Sequence, residues 1–172
     1  MMINSEQYKE FQPFCTSFNG YAPTIVMQGL ITLTGGQVPT AGIADRAFGD
    51  GSKTVWRGLW LTPVCLAFVE FENTGDDDWQ AGSSGRGEVT RTDGWVRRLS
   101  SISSIELGSV QATQREFNSE YPWRASGSIR FGDGVEVQVP LVDGPANHWV
   151  ADSASDFLLS VATEFARDPS AA

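Results

Sequence analysis

The clearest pattern in the chain lies in its last third, where alternating apolar and polar residues predict a β-hairpin from Ala125 to Leu141. Ile129 and Phe131 alternate with polar neighbours before a Gly132-Asp133-Gly134 turn, and valines then resume the alternation. A period of two gives a strand one buried face, and a short glycine-containing break is typical of a hairpin turn. The two strands should therefore be antiparallel neighbours.

The segment that follows the hairpin has a helical period. Between Asp152 and Phe165, apolar residues recur mainly at steps of three and four, which places them along one stripe of a helix. The stripe consists of Ala154, Phe157, Leu158, Val161 and Phe165. We therefore expect one closing amphipathic helix.

Earlier apolar runs, bounded by glycine, proline or polar residues, predict five further strands. They are Ile25–Thr34, Thr54–Leu61, Val64–Glu72, Gly94–Leu99 and Ile102–Val110. The intervening segments 35–53, 73–88 and 111–124 are expected to be loops. Strands followed by a single helix predict a mainly β (α+β) fold.

Aromatic residues near the N-terminus recur at steps of three and four, which predicts a short helix or an aromatic arm over residues 1–24. They are Tyr8, Phe11, Phe14, Phe18 and Tyr21. Pro13 interrupts the stripe, because proline is poorly tolerated inside a helix. We expect this arm to cover one side of the β domain.

Length and charge narrow the classes of function. A chain of 172 residues can bury one self-sufficient core. Its net charge of −9 opposes general attraction to nucleic acid or to an anionic membrane. Two cysteines are too few for a disulfide framework, and the first residues lack the order of a signal peptide, so a cytoplasmic location is expected. Ten arginines against two lysines favour a bacterial origin.

Two stretches of the predicted strands carry a family likeness. They are Gly58-Leu-Trp-Leu-Thr-Pro-Val-Cys-Leu-Ala-Phe-Val and Leu99-Ser-Ser-Ile-Ser-Ser-Ile-Glu-Leu. With the terminal helix, they resemble the pleckstrin-homology-like superfold, in particular bacterial PH-like and GRAM-type domains. The resemblance implies a bent, seven-stranded antiparallel barrel closed by the C-terminal helix over residues 25–166. Residues 1–24 would then be the arm, and residues 167–172 a disordered tail.

The resemblance does not bring lipid binding with it. Members of the superfold that bind phosphoinositides carry a basic cluster in the loop between their first two strands. Here the corresponding predicted loop holds Arg46 and Lys53 against Asp45 and Asp50, so its charges cancel.

Side chains suited to catalysis are scarce. His148 is the only histidine, and thiol catalysis would need it to pair with Cys15 or Cys65. Cys65 lies within an apolar run and is better interpreted as a small core residue. No metal-ligand or nucleotide-binding spacing is present, although cation binding by Asp76-Asp77-Asp78 stays open. We expect a non-enzymatic protein with no cofactor.

One candidate binding surface contains two tryptophans of the same predicted strand. Trp56 and Trp60 lie on one face by parity, and Gly58 between them would leave a notch. Bending of the strand against the closing helix is one interpretation of this notch. The other is a groove, at the mouth of the barrel, for a lipid, a peptide or a small apolar molecule.

A second candidate surface combines aromatic rings with arginine. Trp95 and Arg97 share one face of their strand by parity, and Trp123 lies in the next predicted loop. Tryptophan and arginine are common anchors of protein interfaces. The leading hypothesis is an interaction module that binds a protein or peptide, or associates with itself as an oligomer, through a sheet edge or this face. The alternative is a lipid or small-molecule carrier that uses Trp56 and Trp60.

Overall fold

The computed structural model describes residues 5–17, 20–48, 53–74, 88–112, 123–141 and 148–167. In this part of the chain most residues lie in strands. Two α-helices lie near the start of the chain and a third lies at its end. Contacts within the chain define two compact units, Met1–Arg97 and Arg98–Ala172.

An N-terminal arm opens the first unit, which confirms the predicted short helix. It consists of α1 (Ser5–Phe11), a 3-10 helix (Gln12–Cys15) and the paired strands β1 (Thr16–Ser17) and β2 (Gly20–Tyr21). Pro13, which interrupts the aromatic stripe, lies in the 3-10 helix. Phe11 stacks on Trp60 with ring centroids 5.3 Å apart, and Trp60 Nε1 donates a hydrogen bond of 2.9 Å to the Phe14 carbonyl. The arm is therefore anchored on a buried indole.

The strand predicted over Ile25–Thr34 is wrong, because this segment forms the helix α2 (Thr24–Leu33). Its fully buried residues are Val26, Met27, Leu30 and Ile31. These positions form one helical face, but the segment is rich in β-branched residues, Ile25, Val26 and Ile31 among them, which favour strands. Gly35, with φ of 64°, follows the C-cap Thr34 and ends the helix, and the Gly36 N–H donates a hydrogen bond of 2.9 Å to the Ile31 carbonyl.

A four-stranded sheet completes the first unit. Its strands are β3 (Ala41–Phe48), β4 (Lys53–Leu61), β5 (Cys65–Thr74) and β6 (Glu88–Arg98), in that spatial order. Three of them confirm predicted strands, but β3 was predicted as loop. A Cβ atom on Gly42 would lie 2.6 Å from the Phe14 carbonyl oxygen and 2.7 Å from Trp60 Cδ1. Because the arm packs this closely, β3 is built from small residues that give a weak strand signal.

A three-stranded antiparallel sheet forms the core of the second unit. A 3-10 turn (Leu99–Ser101) leads into β7 (Ile102–Ala112), β8 (Trp123–Phe131) and β9 (Glu136–Val139), in the order β7-β8-β9. The predicted hairpin is confirmed, with Ile129 opposite Val137 and a turn at Gly134, whose φ is 85°. The pairing of β7 with β8 is interrupted at two places.

The predicted C-terminal helix is confirmed as α3 (His148–Arg167), which starts earlier than its stripe. Ala154, Phe157, Leu158 and Val161 are buried, as predicted. Ser155 Oγ accepts a hydrogen bond of 2.7 Å from the Ala125 N–H and donates one of 3.2 Å to the Ala125 carbonyl. Arg124 Nε lies 2.7 Å from Asp152 Oδ1. These contacts fasten α3 to β8.

The seven strands of the two sheets and the terminal helix agree with the predicted mainly β fold. The hydrogen-bonded pairs of the described strands form separate antiparallel sheets, and the closed PH-like barrel stays a prediction. The predicted tail, apart from Arg167, lies outside the described residues, as do most of the loops predicted at 73–88 and 111–124.

Candidate functional site

The tryptophan notch on β4 is filled by the chain's own helix. Trp56 and Trp60 share one face, as predicted, and both are buried. A Cβ atom on Gly58 would lie 2.8 Å from Leu30 Cδ1 and 3.1 Å from Val26 Cγ1. The glycine therefore allows α2 to approach the strand closely, and the two tryptophans belong to the core beneath α2.

Trp95 and Arg97 come together as their parity predicts. The Arg97 guanidinium carbon lies 4.7 Å from the centroid of the Trp95 ring. Trp95 also stacks on Phe68 of β5, with centroids 5.4 Å apart and planes at 23°. All three side chains are half-buried. We call Phe68, Trp95 and Arg97 the aromatic–arginine face.

Trp123, the third predicted member of this surface, begins β8 in the second unit. Its side chain lies outside the part of the chain that the structure describes. Its proximity to Trp95 therefore stays a prediction.

Charged residues continue the aromatic–arginine face towards the start of β6. Arg57 Nε contacts Glu70 Oε2 at 2.7 Å, and Arg91 Nη1 lies 3.6 Å from Glu70 Oε1. Arg91 Nη2 is 3.8 Å from Asp93 Oδ2. The contacts of Arg91 are longer than a hydrogen bond, and both Arg91 and Asp93 are about 60% exposed. This loosely held pair can therefore rearrange towards a partner.

β6 forms an edge of the four-stranded sheet, with β5 as its neighbour. Every residue from Val89 to Gly94 is exposed, on both faces of the strand. The opposite edge strand, β3, contacts β1 and the 3-10 helix of the arm. Backbone N–H and C=O groups along an edge can pair with an added strand. Of the two edges of this sheet, β6 is thus the open one in the described residues.

A cleft of about 500 Å³ lies beside β6, on the face covered by α2. Its walls are Ile25, Gln28, Gly29, Thr32, Leu33, Val69, Phe71, Thr92, Asp93 and Gly94. Sequence reasoning missed its α2 wall, because that segment was interpreted as a strand. The useful signal was local: Gly35 and Gly36 directly after the apolar run are typical of a helix end.

A hydrogen-bonded carboxylate ties the start of β6 to β5. Glu72 Oε1 accepts hydrogen bonds of 2.8 Å from Lys53 Nζ and from Thr90 Oγ1. These bonds, with that from Lys53 the larger influence, hold the pKa of Glu72 below its ordinary value of 4.5. Thr90 of β6 is therefore fixed on one side of the strand.

Of the candidate catalytic residues, His148 is the first residue of α3, and its side chain lies outside the part of the chain that the structure describes. Burial raises the pKa of the Cys15 thiol to about 12, against a smaller opposing effect of its contact with Trp60. Cys65 is also buried, with its sulfur 3.1 Å from Thr62 Oγ1. Among the described residues, no three His, Cys, Asp or Glu side chains converge as metal ligands. The Asp76-Asp77-Asp78 run lies outside those residues.

Among the described helices, none has both the length and the apolar character that crossing a membrane requires.

Comparisons with protein-family models, with curated proteins and with solved structures find no match to this chain.

Proposed function

We propose that this protein is a non-enzymatic interaction module that binds an extended protein segment through the edge of β6. The observation that carries the proposal is an eleven-residue edge strand with both faces exposed from Val89 to Gly94. An extended segment added to such an edge gains main-chain hydrogen bonds, and its alternate side chains meet the two faces of the sheet.

The aromatic–arginine face supplies the anchoring side chains of this proposal. Trp95 contacts both Phe68 and Arg97, so its ring is already ordered before a partner arrives. Ordered anchors lose less conformational entropy on binding. Tryptophan and arginine are also enriched among the residues that dominate interface energies.

The fold supports the resemblance on which part of the proposal rests. Sheets of four and three strands followed by a helix have the strand number and order expected of a PH-like domain. We include in this proposal the closure of the strands into a PH-like barrel. A bacterial cytoplasmic setting is proposed from the arginine excess and the two free cysteines.

Selection of displayed peptides tests the β6 edge. Random peptides are selected on the wild-type protein, and their affinities are then measured by fluorescence anisotropy for Trp95→Ala and Arg97→Glu. The matched control is Leu107→Ala, which removes an exposed apolar side chain from the edge strand β7 of the other sheet. Melting curves of all variants establish that they remain folded.

We expect Trp95→Ala and Arg97→Glu to weaken the selected peptides by about tenfold or more, and Leu107→Ala to leave them unchanged. Peptides that bind all three variants as tightly as the wild type would contradict the placement at β6. The placement would also be contradicted if no peptide were selected whose binding the β6 variants weaken.

A second candidate function, small-molecule binding, is favoured by the cleft beside α2. Its volume of about 500 Å³ lies within the range of ligand pockets. Apolar walls from Ile25, Leu33, Val69 and Phe71 suit an apolar molecule. Native mass spectrometry should then show a bound mass that disappears in Leu33→Trp, which fills the cleft. The absence of any added mass would contradict this candidate.

A further inference from the structure

We infer that the occupant of the β6 edge is a second copy of this chain, paired antiparallel with Thr92 opposite Thr92 of that copy. This inference rests on the proposed function, because it names the partner of the same edge. It makes the protein a symmetric dimer whose two four-stranded sheets join into one.

Symmetry restricts the registers that two β6 strands can adopt. A two-fold axis between antiparallel edge strands runs perpendicular to the sheet, so residues opposite each other lie on the same face. Trp95 and Arg97 lie on one face together with Arg91, whose guanidinium reaches Glu70. In each allowed register, therefore, one residue of β6 lies on the axis opposite the same residue of the second copy.

Centring on Thr92 places complementary side chains opposite each other along β6. Arg91 faces Asp93 of the second copy, and Asp93 faces Arg91, which gives two opposite-charge pairs. The two Thr92 residues face each other. Opposite-charge pairs and threonine pairs are among the cross-strand pairs that stabilise antiparallel sheets.

Neighbouring centres lose this complementarity. A centre at Arg91 or at Asp93 places two like charges directly opposite on the axis, and a centre at Gly94 places Arg91 opposite Arg97. Like charges directly opposite each other are destabilising. A centre at Trp95 would also give two opposite-charge pairs, Asp93 with Arg97, but Trp95 and Arg97 are half-buried, whereas Arg91 and Asp93 are exposed. Thr92 is thus the centre that charge pattern and exposure together favour.

Exposure and charge also suit a second copy. The residues at the centre of the pairing, Val89 to Gly94, are exposed in the single chain. The chain carries −9 overall, whereas β6 holds three arginines against two acids. The exposed segment itself holds one arginine and one aspartate and so carries no net charge, which lets two acidic molecules approach there with less repulsion.

Charge reversal with complementation tests this register. Arg91→Asp and Asp93→Arg each replace both opposite-charge pairs by like-charge pairs. We expect each variant to raise the dimer dissociation constant by about tenfold or more in sedimentation equilibrium. An equimolar mixture of the two should recover association as a heterodimer, because one copy then presents two carboxylates at these positions and the other presents two guanidinium groups. The double variant Arg91→Asp, Asp93→Arg should recover it as a homodimer.

Cysteine cross-linking gives a second measurement that does not depend on charge. Opposite Cα atoms in an antiparallel pair are about 4.5–5.5 Å apart, so Thr92→Cys should form an intermolecular disulfide under oxidised glutathione. In Thr90→Cys the two cysteines would be four residues out of register, about 13 Å along the strand, and should not link. The native cysteines are buried and contribute little background.

The outcomes separate this inference from the proposed function. Recovery in the mixture together with selective linking of Thr92→Cys supports the second copy. A wild-type protein that stays monomeric, or a mixture that does not associate, overturns it. If the selected peptides still lose affinity for Trp95→Ala in that case, the interaction module stands with a different partner; if they do not, both fail.

Discussion

β6 and β7 are both eleven-residue strands at the edge of their sheets, yet their edges are built differently. The pairing of β7 with β8 shifts between Ile102 and Ser104 and again between Leu107 and Ser109. β7 has one charged residue, whereas five of the eleven residues in β6 are charged. Bulges and irregular edges are devices by which proteins prevent strand addition.

The exposure of apolar side chains is therefore not sufficient to single out one of these edges for binding. Leu107 on β7 is 69% exposed, more than Val89 at 37% or Val96 at 46% on β6. What distinguishes β6 is an ordered tryptophan and a charge pattern that complements itself. An interrupted strand with a single charge offers a partner neither of these.

The largest expected effect removes the indole that anchors the arm over the sheet of β6. Trp60→Ala should lower the free energy of unfolding by about 3–5 kcal/mol, because Trp60 is fully buried. It also removes the stack with Phe11, and so loosens the cover of the β3 edge. Chemical denaturation measures the loss.

Trp60→Phe is the matched control for this variant. It keeps an aromatic ring against Phe11 and removes the hydrogen bond to the Phe14 carbonyl. Its loss of stability should be clearly smaller. Equal losses in both variants would show that ring packing does not anchor the arm.

The next largest effect compares the contributions of the two edges to self-association. Trp95→Ala should weaken self-association by about thirtyfold, or about 2 kcal/mol, because tryptophan at the centre of an interface is often a dominant contact. Leu107→Ala on β7 should change it less than about twofold, within the range of neutral contacts. Sedimentation equilibrium measures both, and similar losses in the two variants would erase the distinction between the edges.

A smaller effect concerns the attachment of α3 to β8, the strand beside β7. Ser155→Ala should lower stability by about 1–3 kcal/mol, because the Ala125 N–H and carbonyl both lose their partner. Self-association of the folded variant should not change. A stability equal to that of the wild type would mean that water replaces the hydroxyl without loss.

The smallest expected effect is a change in the pKa of Glu72, which lies on β5 beside β6. Thr90→Val removes one hydrogen bond to Glu72, so the pKa of Glu72 should rise towards 4.5 in an NMR titration. The pKa of Glu136 in the other sheet is held low by Ser128 and Arg130, and should stay where it is. An unchanged pKa of Glu72 would show that Thr90 does not contribute to it.

The lowered pKa values of Glu72 and Glu136 determine how the stability of the fold depends on pH. Both carboxyl groups have folded pKa values below 4.5, so the stability they contribute is complete above that pH. It is lost as the pH falls through the folded values.

Much of the second unit was predictable because its signals are local. The alternation around Ile129, the glycine turn at Gly134 and the apolar stripe of α3 each depend on neighbours in sequence. The parity that paired Trp95 with Arg97 is local in the same sense.

The first unit was harder to predict because its signals depend on tertiary packing. α2 was predicted as a strand because Ile25, Val26 and Ile31 are β-branched residues that favour strands, and β3 was missed because Gly42, a weak strand former, leaves room for the arm and for Trp60. The cleft beside β6 could not be foreseen without α2. The stack of Phe68 on Trp95 required the order of β5 and β6.

Amide hydrogen exchange at low and high protein concentration tests the central claim, that β6 is the edge through which this protein binds, most directly. The account predicts that exchange in β6 slows as the concentration rises, while exchange in β7 stays constant, because pairing protects backbone N–H groups at the edge. Association without added protection in β6, or with the protection located in β7, would contradict it.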